Sequence, residues 1–108
     1  MKYYVDKNQI TRIASNADTY HKGYMYWLNG MVRSMRLTEE NGCCVATAAV
    51  SGAKAEHSVM LAFDAQGNLQ KYRCMCPGAS IWQGACKHVV AALLHLFESN
   101  RTDRKSVV

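Results

Sequence analysis

Proline is almost missing from this chain of 108 residues: one occurs, Pro77. There is also no internal repeat, no low-complexity segment and no Pro/Gly/Ser-rich linker. A chain of this length without a linker reads as one domain, with a modest core and little left over for an elaborate active site. No stretch approaches the roughly 20 apolar residues that a bilayer-crossing helix needs. The first residues, Met1-Lys2-Tyr3-Tyr4-Val5-Asp6-Lys7-Asn8, lack the apolar centre of a secretion signal. A cytoplasmic location is therefore expected, or a nuclear one in a cell with a nucleus, and no membrane partner. A Gly-x-x-x-x-Gly-Lys-Ser/Thr loop is absent as well, so no phosphate-binding motor lies within these residues. The cysteines do not make an even set: there are five, at 43, 44, 74, 76 and 86. An odd count without a signal argues against a disulfide framework, and clustered cysteines in a reducing compartment point to metal.

What is present is the composition of a folded domain, 49% hydrophobic and 19% charged. Thirteen basic against eight acidic residues give a formal charge of +5. A basic domain attracts polyanions, of which nucleic acid is the commonest, although so mild an excess also suits an ordinary solvated surface.

The pattern predicts an α+β fold. In the N-terminal helical segment, Asn16, Ala17 and Asp18 offer a cap. Tyr20, Tyr24, Trp27, Leu28 and Met31 then recur on one helical face, and Gly30 marks the stop. A shorter helical turn is expected around residues 9–15. The middle reads as a small antiparallel β-meander over 32–37, 43–50, 58–63 and 69–76. Turn signals stand at Glu40-Asn41-Gly42, Ser51-Gly52 and Gln66-Gly67-Asn68. The run 43–49 is rich in Ala and Cys, so a helix is an alternative there. The last helix is expected from about Lys87 to Ser99, with Val89, Leu93, Leu96 and Phe97 as its apolar stripe and Val90 and Leu94 widening it. The domain is expected to fill 1–100, followed at 101–108 by a polar, basic tail or linker carrying Arg101, Arg104 and Lys105.

The chemistry-bearing pattern is Cys74-x-Cys76, nine residues, Cys86-x-His88. On a strand, residues i and i+2 face the same side, so Cys74 and Cys76 can meet one ion. Pro77-Gly78 then turns the chain away. On an ideal helix i and i+2 diverge, so Cys86 and His88 converge only if Cys86 stands at or before the helix start. Three thiolates and an imidazole would make a closed tetrahedral zinc site, with no open position for a substrate. Cys43 and Cys44, adjacent on a strand, cannot serve one ion and read as strand or core residues. His95, seven residues beyond His88, is a substitute ligand only if it does not simply pack. His21 and His57 have no companions in the sequence. Cys86 and His88 as nucleophile and base are set aside, because no third orienting group is visible. The domain is expected to be a binding module with no small-molecule substrate, not an enzyme.

Cys74-Met75-Cys76-Pro77 and Cys86-Lys87-His88-Val89-Val90-Ala91 resemble the SWIM zinc finger, a specific wording of the motif. The stretch Tyr20 to Val32, with Gly23-Tyr24 and Gly30-Met31-Val32, is similar to the lead-in of bacterial members, so the resemblance covers about 18–98. It implies a zinc-tied β-β-α finger, about 69–98, with Cys74, Cys76, Cys86 and His88 as ligands of one structural zinc. It also implies a DNA-binding or protein-binding module, expected here as the N-terminal piece of a bacterial Swi/Snf-type helicase. The chain departs from the family in reading Ser51-Gly52-Ala53-Lys54-Ala55-Glu56-His57 where bacterial members carry Gly-Ser-x-x-Tyr.

Two surfaces compete as the working part. For nucleic acid, DNA first and RNA as a variant, the candidates are Lys71, Arg73 and Lys87, with Tyr72 and Trp82 as aromatic neighbours. The bland alternative is a solvated strand face, with Trp82 covering the zinc. For a protein partner, including a helicase motor in cis, the candidate is the loop from Gly78 to Ala85 with Ile81 and Trp82.

Overall fold

The computed structural model describes residues 3–14, 16–52, 55–75 and 85–107, with side chains up to Ser99. Its elements are α1 (Lys7–Ile13), α2 (Ala17–Leu28), β1 (Val32–Glu40), β2 (Cys43–Ser51), β3 (Glu56–Phe63), β4 (Leu69–Cys74) and α3 (Lys87–Val107). The fold is α+β, as the sequence predicts.

Helices α1 and α2 begin where a short polar side chain can satisfy a free backbone N–H. The Asp6 carboxylate accepts from the Gln9 amide at 2.7 Å and opens α1. The Asn16 side chain accepts from the Thr19 amide at 2.8 Å and opens α2. Helix α2 stops at Gly30, whose φ of 72° no side chain favours. The Gly30 amide donates to the Trp27 carbonyl and the Met31 amide to the Tyr26 carbonyl, the paired bonds that close a helix through a left-handed residue. The Met31 carbonyl then accepts from the Ser51 amide at 2.7 Å and delivers the chain into the sheet.

The four strands lie in sequence order, β1-β2-β3-β4, all antiparallel. The β1–β2 hairpin closes on Asn41-Gly42, both at positive φ (52° and 81°), which is the twist that two-residue hairpins demand. At the β3–β4 turn, Asp64 Oδ1 accepts from the amides of Gln66 and Asn68, both at 2.9 Å, and Oδ2 accepts from Gln70 Nε2 at 3.0 Å. These bonds, the Asn68 one foremost, hold the Asp64 carboxyl below its ordinary range. Residues 43–49 are strand, which settles the helix alternative: Cys44, Ala46, Ala48 and Val50 point inward and alternate with less buried neighbours.

Helix α3 lies between the inner face of this sheet and the α1/α2 pair. The sequence predicts a one-sided stripe; the structure buries six consecutive residues, Val89 to Leu94, each at most 1% exposed. A helix covered from two sides must be apolar all round. Small side chains let the layers approach: Ala91 and Ala92 on the helix, Ala46 and Ala48 on the sheet, and Gly23 on α2. A Cβ on Gly23 would fall 2.5 Å from Val90 Cβ and 2.9 Å from the Lys87 carbonyl.

Three expectations are corrected. Leu28, placed on the buried face of α2, is 56% exposed, and that face centres on Gly23 instead. The last helix, expected to end at Ser99, continues as α3 to Val107; no proline or glycine interrupts it. The fourth strand is shorter than 69–76, ending at Cys74.

Candidate metal centre

The end of β4 and the start of α3 are brought together by backbone contacts made elsewhere. The Ala85 amide donates to the Ile13 carbonyl at 2.7 Å, and Ala85 bridges Ala14 in parallel. That pins the entry to α3 against the end of α1. The Cys86 carbonyl accepts the first helical bond, from the Val90 amide at 3.0 Å, so Cys86 caps the helix from just outside it. This is the placement that the Cys-x-His spacing needs.

Cys74, Cys86 and His88 meet there. Their donor atoms lie within 4.8 Å of one another, and all three residues are buried, at 8%, 7% and 4% exposure. His88 Nδ1 is 3.6 Å from Cys74 Sγ and 3.8 Å from Cys86 Sγ. Zinc bonds of about 2.3 Å to sulfur and about 2.0–2.1 Å to nitrogen, at a tetrahedral angle, place S and N about 3.6 Å apart. The donor types and the two sulfur–nitrogen spacings therefore fit zinc. One ring N–H cannot point at two sulfurs at once, whereas one cation between them is shared by all three donors. Ligation through Nδ1 leaves the ring proton on Nε2, which is buried with no hydrogen-bond partner among the described residues. Cys76, the remaining ligand expected from the sequence, lies outside the described residues, as do Ile81 and Trp82 of the expected interaction loop.

The His88 ring is walled by two aromatic neighbours. Tyr26 of α2 meets it edge-on at 5.5 Å between centroids, and His57 of β3 lies 4.5 Å away at 44°. His57 is the residue that sequence spacing missed: it stands 31 positions from His88. The signal was its parity with the buried Val59, Leu61 and Phe63 on β3. Gly52 leaves room for it, since a Cβ there would meet His57 Nε2 at 2.7 Å.

The other candidates fall elsewhere. His95 sits half-buried two turns further along α3, where burial holds its pKa below the ordinary imidazole value. It does not join the donor group. Cys44 is buried on the inner face, and burial raises its thiol pKa; Cys43 is only half-buried and faces the other way. The basic trio separates. Lys71 and Arg73 are exposed on β4, on the face opposite to that of Cys74. Lys87 is on the helical side, its Nζ 5.4 Å above the Tyr26 ring, a cation–π contact. Tyr72 packs partly buried against the core.

No family model, no curated protein and no solved structure matches the chain. No helix among the described residues is long and apolar enough to cross a membrane.

Proposed function

We propose that the chain is a zinc-binding structural module of the SWIM type, and that zinc fastens β4 to α3 through Cys74, Cys86 and His88 with Cys76 as the fourth ligand. The convergence of two buried thiols on one buried imidazole nitrogen carries this reading. Three thiolates and an imidazole fill a tetrahedral ion, so zinc here supports structure and leaves no position for a substrate. The module is a binding domain, not an enzyme. In a domain this small such an ion contributes on the order of 10 kcal/mol to folding. Metal analysis and native mass spectrometry test it: one zinc per chain is expected, lost in His88→Ala. A zinc-free chain that folds and keeps its stability in chelator would contradict it.

A second reading concerns what the module binds. Lys71 and Arg73 stand exposed, two positions apart, on one face of an edge strand, which favours a polyanion, DNA, as the partner; an accessory role beside a helicase motor follows from the SWIM resemblance alone. Fluorescence anisotropy of the zinc-loaded chain with DNA at two salt concentrations tests it. Binding that weakens steeply with salt is expected, and no binding at low salt would turn attention to a protein partner.

A further inference from the structure

The register of the sheet aligns residues that are far apart in sequence. Arg36 pairs with Thr47, Thr47 with Met60, and Met60 with Arg73. These four therefore form one row across the outer face, and all four are exposed. Lys71 lies two residues from Arg73 on the same edge and the same face. No described helix packs on this face, since α3 and the α1/α2 pair occupy the other side. Arg36 marks one edge strand, and Lys71 and Arg73 mark the other. With neighbouring strands about 4.8 Å apart, the two cationic edges are about 14 Å apart at the backbone. Between them lie Thr47 and the long side chain of Met60, which is 40% exposed. The carboxylates of this face, Glu40 and Glu56, stand at opposite strand ends, in hairpin positions.

We propose that this outer face docks duplex DNA by its phosphate backbones, a proposal that rests on the DNA-binding reading above and moves the contact surface from the zinc centre to the sheet. Arg36 holds one strand and Lys71 with Arg73 the other. A major groove about 12 Å wide matches the spacing of the edges once the long side chains reach over it. Among the described outward residues of the strands none is aromatic. Stacking, which grips single strands, is thus missing, and phosphate contact without base readout remains. Lys87, turned to Tyr26 on the helical side, takes no part.

The test is fluorescence anisotropy of the full zinc-loaded chain against a short labelled duplex, over a range of salt. Variants are the triple Arg36→Gln, Lys71→Gln, Arg73→Gln, its charge-restoring counterpart carrying Arg36→Lys and Arg73→Lys with Lys71 kept, and Lys87→Gln. Each lost phosphate contact flattens the log–log salt dependence by about 0.9, so the triple variant should flatten it by about 2.7 and lose roughly tenfold or more in affinity at low salt. The charge-restoring variant should keep the wild-type slope, as should Lys87→Gln. The matching single strand should bind more weakly, and duplex sequence should matter little. A triple variant with the wild-type slope, while wild type binds DNA, overturns the sheet proposal alone. Tighter binding to the single strand, or equal competition by polyglutamate at the same charge, overturns the assignment to duplex backbone. A wild-type chain that binds no DNA overturns this proposal and the DNA-binding reading together.

Discussion

The two faces of one sheet differ in almost every physical respect, although the same strands supply both. Inward stand Cys44, Ala46, Ala48, Val50, Val59, Leu61 and Phe63, each at most 2% exposed. Outward, Arg36, Thr47, Lys71 and Arg73 are exposed and Met60 is 40% exposed. Cys74 and Arg73 are neighbours in the chain, yet the pleat sends one to the buried group with Cys86 and His88 and the other to solvent. One-residue parity thus divides structural work from surface chemistry. A motif read along the sequence merges what the strand separates. Arg73 adjoins Cys74 in the chain but faces the other side of the sheet, whereas Lys87 stays on the helical side, over the Tyr26 ring.

Changes that strip the inner side should cost most. Removing zinc, or replacing His88 by Ala, should abolish cooperative folding or lower the melting temperature drastically, since metal and folding are coupled on the order of 10 kcal/mol. Circular dichroism melts with and without chelator measure this. The sharpest comparison of faces pairs two adjacent residues of β3. Leu61→Ala should destabilise by about 2–5 kcal/mol, whereas Met60→Ala should stay within about 0.5 kcal/mol; urea unfolding of both variants checks it. Equal effects would break the comparison.

The far side of α3 is packed just as closely. Gly23→Ala should destabilise by about 1–3 kcal/mol, because its Cβ has no room beside Val90. The same denaturation measurement reads it, and a neutral outcome would mean that α2 can shift away from α3. The smallest effect is chemical. Cys43 should react with an alkylating reagent several-fold faster than Cys44, whose thiol is buried and whose pKa burial raises. Peptide mapping after brief labelling of the folded, zinc-loaded chain compares the two. Faster labelling of Cys44 would reverse the assignment of faces.

Much of this was legible from residues alone. Asn16 as cap, Gly30 as stop and Asn41-Gly42 as hairpin act through local backbone chemistry, and local chemistry is written locally. The meeting of Cys74, Cys86 and His88 was legible because Cys74 stands at a strand end and Cys86 just before a helix that begins at Lys87. Three features needed the third dimension. His57 reaches His88 only through the pairing of β3 with its neighbours. Leu28 has the helical spacing of a core residue, but the helix rolls Gly23 against Val90 instead. Arg36 shares a row with Arg73 only because four strands align in register. Register between strands depends on every pairing in the sheet, and no short stretch of sequence specifies it.

The most direct measurement is zinc X-ray absorption on the purified, metal-loaded chain. The account predicts a sulfur-dominated shell near ~2.3 Å, with one nitrogen near ~2.0–2.1 Å, and loss of a sulfur in Cys74→Ser and in Cys86→Ser. A shell of oxygen and nitrogen only, or one unchanged by both substitutions, would contradict it.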